Sequence, residues 1–129
     1  MPAPGETDLA AMLATLSVQR RPGVFAYIAV QVPTPGLIAA AHALVKEGRL
    51  TTIVLPVDAA ARAGQATDVQ FAWLTLTVQS SLDAVGLTAV VSARLAAIGI
   101  PCNVLAGYHH DHLLVPVDRV DDAISILAA

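Results

Sequence analysis

The sequence predicts an α+β fold in which antiparallel strands form a sheet that helices cover on one face. The main observation is the order of patterns after residue 70. Residues 71–79 alternate between aliphatic and aromatic or hydroxyl side chains, as a half-buried strand does. A helical stripe, two strands joined at Gly107-Tyr108-His109-His110, and a second helical stripe follow. This β-α-β-β-α order indicates the ferredoxin-like βαββαβ plan.

The helices of this half have recognisable ends. Ser80-Ser81-Leu82-Asp83 resembles a capping box, which predicts that a helix begins at Ser80 or Ser81. Gly99 and Pro101 predict its C-terminal end. Asp118 is expected to cap the last helix. The apolar stripes of the two helices are Leu87, Val91, Leu95 and Ile98, and Val120, Ala123, Ile124 and Leu127.

The first half repeats this order more loosely. Its patterns predict a helix over 7–17, a strand over 24–32, a helix over 37–45 that ends at Gly48, and a strand over 50–55. Residues 57–70 are expected to form a connection with a short helical turn. Phe25-Ala26-Tyr27-Ile28 resembles Phe71-Ala72-Trp73-Leu74, and similar elements follow both segments. A duplication is therefore predicted, with units 1–66 and 67–129.

The composition of the chain excludes several classes of protein and partner. Apolar residues make up 56% of the chain, which is enough for a sizeable core, but no apolar run reaches the ~18–20 residues of a spanning helix. The net charge of −3 and seven scattered basic residues argue against nucleic acid as a partner. Cys102 is the only cysteine, which excludes an internal disulfide. The N-terminus lacks a secretory pattern, so a cytoplasmic location is expected.

Two long segments, residues 74–89 and 99–117, resemble the small bacterial ACT-domain proteins. In the first half, Glu47-Gly48 resembles the acidic-Gly pair of that family. The resemblance implies tandem ACT-like units, often paired into larger sheets, that serve as regulatory sensors of amino acids. It also implies a ligand site where the first strand of a unit meets its first helix, which here is the segment from Ser80 to Gly86.

That segment supplies five candidate ligand-binding residues: Ser80, Ser81, Asp83, Val85 and Gly86. Free backbone amides at a helix N-terminus suit a carboxylate. Asp83 is able to pair with an ammonium group, and Gly86 would allow a ligand to approach the backbone. The alternative is that the serines and Asp83 only cap the helix and that Gly86 only permits close packing.

Three further residues are candidates for ligand contact. Asn103 begins a strand, and Tyr108 and His110 lie in or beside the turn between two strands. Alternatively, Asn103 is an amide at the strand edge that bonds to the backbone, and Tyr108 and His110 only pack at the hairpin.

The run His109-His110-Asp111-His112 invites a metal interpretation. On a strand, however, His110 and His112 share one face while His109 and Asp111 share the other, so the four cannot converge. We expect no metal and no cofactor. The run is expected to hydrogen-bond and pack at the hairpin, and the alternative is a role facing a ligand or an interface.

Motifs of nucleophilic catalysis are absent from the sequence, as are phosphate-binding loops, so an enzyme is not expected. The favoured hypothesis is a regulatory protein that binds an amino acid or a similar zwitterion. The alternative is a structural module that oligomerises or docks on a partner enzyme. In either case a homodimer or higher homo-oligomer is expected, because unpaired edge strands and an amphipathic outer sheet face tend to pair.

Overall fold

The computed structural model describes residues 9–78 and 86–128 and has the predicted α+β fold. Its helices are α1 (Leu9–Thr15), α2 (Pro35–Ala40), α3 (Val57–Arg62), α4 (Leu87–Ala97) and α5 (Val120–Ala128). Its strands are β1 (Ser17–Arg20), β2 (Phe25–Val30), β3 (Ala43–Glu47), β4 (Leu50–Pro56), β5 (Phe71–Thr77), β6 (Asn103–Ala106) and β7 (Asp111–Pro116). A 3-10 turn, Val117–Arg119, leads into α5.

The chain divides into two compact units. The central unit is Gly23–Phe71, and the terminal unit combines the residues up to Pro22 with those from Ala72 onwards. Each unit contains one β-α-β-β-α series. The two compact units therefore do not coincide with the first and second halves of the chain. The division of the chain into two repeats, 1–66 and 67–129, stays a prediction.

The central unit has an antiparallel sheet in the order β3–β4–β2. Phe71, the first residue of β5, pairs with Phe25 at the start of β2. The alternation predicted for residues 24–32 puts Ala26 and Ile28 on one face. Both are buried there, where they pack with Ile53, Leu55 and Ala60.

The helix predicted over 37–45 is wrong in its second half. α2 begins at Pro35, and the Thr34 side chain accepts a hydrogen bond from the Leu37 backbone amide at 3.2 Å. The helix ends at Ala40, and β3 then pairs with β4 along its whole length. Gly48, with a φ of 62°, lies in the turn between these two strands rather than at a helix end.

The terminal unit has the sheet order β1–β5–β7–β6. β1, which the sequence did not predict, pairs antiparallel with β5 from Ser17 opposite Thr77 to Arg20 opposite Leu74. The helix predicted over 7–17 is correspondingly shorter and ends at Thr15. The C-terminal β-α-β-β-α series thus receives its sixth element, the last strand of the βαββαβ plan, from the N-terminal part of the chain.

The core of the terminal unit lies between one face of this sheet and the helices. The predicted stripes supply it, since Val91 and Leu95 of α4 and Leu127 of α5 are almost fully buried. Met12 of α1 is 0% exposed in the same cluster. The other buried members of the cluster are Ala72, Leu74, Leu76, Leu87, Ile100, Leu113, Val115, Val120 and Ala123.

The helix ends of this unit differ partly from the prediction. α4 begins at Leu87 with Gly86 as its N-cap residue. The helix start predicted at Ser80 or Ser81 falls within residues 79–85, which lie outside the described residues. At the other end, Gly99 has a φ of 73° and the Ile100 amide donates to the Leu95 carbonyl, which confirms the predicted glycine stop.

Asp118 lies inside the 3-10 turn that precedes α5 instead of capping the helix. Among the described residues, no helix is long and apolar enough to cross a membrane.

Candidate functional site

One end of the terminal unit's sheet carries a set of polar and aromatic side chains. His112, the second residue of β7, has its Nδ1 atom 2.9 Å from Oγ1 of Thr75 and 3.2 Å from Nε1 of Trp73. Thr75 lies towards the end of β5, whereas His112 lies just after the β6–β7 turn. That turn and the C-terminal end of β5 therefore lie at the same end of the sheet.

These side chains occupy the face of the sheet opposite the core. Leu74 and Leu76 of β5 point into the core, so the alternation of a strand directs Trp73 and Thr75 the other way. Arg21 follows β1 and places its guanidinium carbon 4.1 Å from the centre of the Trp73 ring. Its backbone amide also donates to the Trp73 carbonyl at 2.8 Å. We refer to Arg21, Trp73, Thr75 and His112 as the Trp73 cluster.

The cluster favours the neutral form of His112. Burial lowers the pKa of His112 below its ordinary value of 6.5, and the neighbouring Arg21 and His110 lower it further. The Asp111 carboxylate acts in the opposite direction on this pKa. His112 is therefore an uncharged imidazole at neutral pH.

The β6–β7 turn depends on Gly107. The Gly107 amide donates to the His110 carbonyl at 2.9 Å. A Cβ atom at position 107 would lie 2.8 Å from that same oxygen and 3.0 Å from Nε2 of His112, which is closer than side chains tolerate. A glycine at this position lets the turn close next to the imidazole of His112.

Of the five candidates in the segment from Ser80 to Gly86, Ser80, Ser81, Asp83 and Val85 lie outside the described residues. Gly86 has a φ of 100°, in the left-handed region that glycine adopts without strain. A Cβ atom there would lie 3.0 Å from Cδ2 of Leu9. Gly86 thus has a structural reason to be glycine, because both the backbone turn and the contact with α1 require it.

The other three candidates are not all at one place. Tyr108, which is 80% exposed, and His110 lie in the β6–β7 turn, at the end of the sheet to which β5 leads. The Tyr108 ring makes an edge contact with His109 at 4.8 Å between centroids. Asn103 pairs with Leu114 at the opposite end of β6, about 10 Å along the strand from that turn.

Sequence reasoning missed Arg21, Thr75, His112 and Gly107 as parts of the site. The alternation of residues 71–79 places Trp73 and Thr75 on one face. Connecting them to His112 requires knowing that β5 and β7 are neighbours. Gly107 carried a signal, since a glycine at the start of a tight turn indicates a close approach of the backbone.

Within the described part of the chain, no group of three His, Cys, Asp or Glu side chains is placed to hold a metal ion. An open groove of about 380 Å³ lies elsewhere in the terminal unit, lined by Ile98, Arg119, Asp122, Ser125 and Ile126. There Arg119 donates to the Asp122 carboxylate at 3.2 Å and to the Ile98 carbonyl at 3.0 Å.

A β-α-β-β-α series with a fourth strand beside the first defines the class of ferredoxin-like domains to which ACT domains belong. An ACT-domain family model matches residues 68–129. A Vibrio cholerae protein of unknown function, described as a possible transport protein, is similar with a TM-score of 0.81 and 36% identity over 86% of each chain. The chain therefore belongs to the family of small ACT-domain proteins.

More distant structures share the fold. An Agrobacterium tumefaciens protein has a TM-score of 0.65 at 16% identity, covering 88% of this chain and 87% of its own. Clostridium acetobutylicum aspartate kinase has a TM-score of 0.62 at 8% identity, covering 88% of this chain but 33% of the enzyme. No curated protein matches the sequence.

Proposed function

We propose that this protein is a regulatory module that binds an amino acid or a similar zwitterion at one end of the terminal unit's sheet. The observation that carries the proposal is that the β6–β7 turn lies at the end of the sheet where β5 ends. The turn brings imidazole and phenol groups to that end, and an ACT-type ligand site is expected in the segment that follows the first strand of a unit, here Ser80 to Gly86. The proposal includes no catalytic step, no metal and no cofactor.

The residues at this end suit both charges of a zwitterion. Backbone amides before α4 are the expected partners of a carboxylate, and Asp83 is the expected partner of the ammonium group. Regulatory use of the fold has a precedent, because the similar aspartate kinase is described as an allosteric enzyme. We place the protein in the cytoplasm, where free amino acids are available to such a sensor.

A thermal-shift screen against the common amino acids tests the proposal. A ligand at 100 times its Kd stabilises the folded state by about 2.7 kcal/mol, which gives a shift of several degrees in a chain of this length. One or a few amino acids should raise Tm. If none does so at millimolar concentration, the protein is not an amino-acid sensor.

Asp83→Asn tests the position of the site. The variant should lose about 1.5–3 kcal/mol of binding free energy, because the ammonium group loses a charged acceptor. Asp121→Asn is the matched control, since Asp121 is an exposed acidic residue in the first turn of α5. Calorimetry should show weaker binding only for Asp83→Asn. Equal affinity in both variants would move the site away from the segment from Ser80 to Gly86.

A second candidate function is assembly, either alone or together with ligand binding. β3 pairs with β4 on one side, and no strand in the described part of the chain pairs with its other side. Leu44 and Val45 of this edge strand are 39% and 46% exposed. Such edges favour pairing with another chain. Light scattering should therefore report a homodimer or larger assembly, and a monomer of 13.3 kDa would contradict this.

A further inference from the structure

The Trp73 cluster fixes where His112 carries its proton. The indole N–H of Trp73 is only ever a donor, and it points at Nδ1 of His112 across 3.2 Å. Nδ1 must therefore accept this hydrogen bond and cannot hold a proton itself. The Thr75 hydroxyl, 2.9 Å from the same nitrogen, is then a second donor to it. A neutral His112 consequently carries its only N–H at Nε2.

That N–H is left over for another partner. Among the described residues, no acceptor makes a hydrogen bond to Nε2 of His112. This nitrogen is also not among the buried polar atoms that lack a partner, so it is accessible. Gly107 contributes to this opening, because a side chain at position 107 would begin 3.0 Å from Nε2. The imidazole thus accepts hydrogen bonds at Nδ1 and offers a donor at Nε2.

The surroundings of this donor favour an oxygen with negative charge. Arg21 stands over Trp73, and after burial its positive charge is the next cause that lowers the pKa of the His112 imidazole. His110 acts in the same direction, while the adjacent Asp111 carboxylate opposes both. A carboxylate accepts hydrogen bonds only, so it matches an N–H whose tautomer the protein has fixed.

We infer that His112 is a ligand-binding residue whose Nε2–H donates a hydrogen bond to a carboxylate oxygen of the bound molecule. Trp73 and Thr75 are positioning residues, since they hold the ring and its tautomer through Nδ1. The inference rests on the proposed function for the identity of the ligand, but the state of His112 can be tested without one.

Nitrogen NMR of the imidazoles provides that test. In the free protein at pH 7, His112 should show an unprotonated Nδ1 and a protonated Nε2. Titration with sodium acetate, the smallest carboxylate probe, should shift the Nε2 resonance of His112 more than that of the exposed His109. The opposite tautomer, or a response no larger than that of His109, would overturn the inference even if amino acids bind elsewhere.

Two substitutions distinguish the acceptor role of Nδ1 from the donor role of Nε2. His112→Asn keeps an acceptor near the Nδ1 position for Trp73 and Thr75 but has no donor near Nε2, whereas His112→Gln can place an amide N–H near the Nε2 position. With the amino acid that raises Tm in the screen, His112→Asn should weaken binding about tenfold or more.

His112→Gln should retain more affinity than His112→Asn, and both should keep a cooperative unfolding transition. Unchanged affinity in folded His112→Asn protein would overturn the inference while leaving the proposed function standing. A screen without any hit would instead defeat the proposed function, and the acetate titration would still decide the role of His112.

Discussion

Truncation of Met12 tests whether the N-terminal part of the chain completes the terminal unit. Met12 lies in α1, far along the chain from the other members of its core cluster, and its side chain is 0% exposed. Met12→Ala removes buried atoms and leaves a cavity in the core cluster that also contains Leu87 and Leu95. Large-to-small changes of this kind cost about 2–5 kcal/mol. Full burial places the expected cost in the upper part of that range.

Urea denaturation measures the effect as a change in the free energy of unfolding. The control is Ile38→Ala in α2 of the central unit, because Ile38 is 52% exposed and its truncation removes little packing. The control should stay within about 0.5 kcal/mol of the parent protein. A loss below about 1 kcal/mol for Met12→Ala would show that α1 does not pack into the core, and the assignment of residues 9–22 to the terminal unit would fail.

Three other predictions concern the backbone, pH and metals. Gly86→Ala should destabilise the protein by about 1–3 kcal/mol, because alanine is strained at positive φ. Gly36→Ala inside α2 should be neutral or stabilising by up to about 1 kcal/mol. Chemical denaturation of both variants measures the two changes in the free energy of unfolding. The lowered pKa of His112 means that the unfolded chain binds more protons below pH 6.5, so stability should fall as pH drops through the folded pKa. His112→Asn should flatten this part of the stability–pH curve and His109→Asn should not. Treatment with a chelator should leave Tm unchanged; stoichiometric zinc in untagged protein, with unfolding on its removal, would contradict the account.

The elements that the sequence predicted well are those whose side chains alternate or repeat without ambiguity. β5 and α5 follow their predicted stripes because one face of each is buried in a single core. The prediction of a helix over 37–45 was wrong because Leu44 and Val45 continue a helical spacing by chance. β3 is instead held by its pairing with β4, which a local pattern does not contain.

β1 shows the same limit more clearly. Ser17–Arg20 has no strong apolar alternation, and it becomes a strand only because β5 offers it a partner. No reading of residues 17–20 alone contains that information.

A second repeated segment also indicates the duplication. Pro56-Val57-Asp58 and Pro116-Val117-Asp118 end the equivalent strands β4 and β7, and in both copies the proline flanks the start of a helical turn. This match supports the equivalence of the two β-α-β-β-α series, together with the repeat at Phe25 and Phe71.

The sequence predicted the turn at this end of the sheet, but it did not predict the side-chain contacts beside that turn. The turn at residues 107–110 was identified, and Tyr108 and His110 lie there. His112 was considered only as a member of the run 109–112 and not as a partner of β5, because its contacts with Trp73 and Thr75 depend on the order of strands in the sheet. Side chains that meet across neighbouring strands have no fixed spacing in the sequence, so the Trp73 cluster appears only in the structure.

Isothermal titration calorimetry of the full chain tests the central claim most directly. The parent protein and Asp83→Asn are titrated with the amino acid that gives the largest thermal shift. The account predicts saturable binding by the parent and at least about tenfold weaker binding by the variant, the result of a lost charge-assisted hydrogen bond. Absence of saturable heat with the parent protein, or equal affinity in the two proteins, would contradict it.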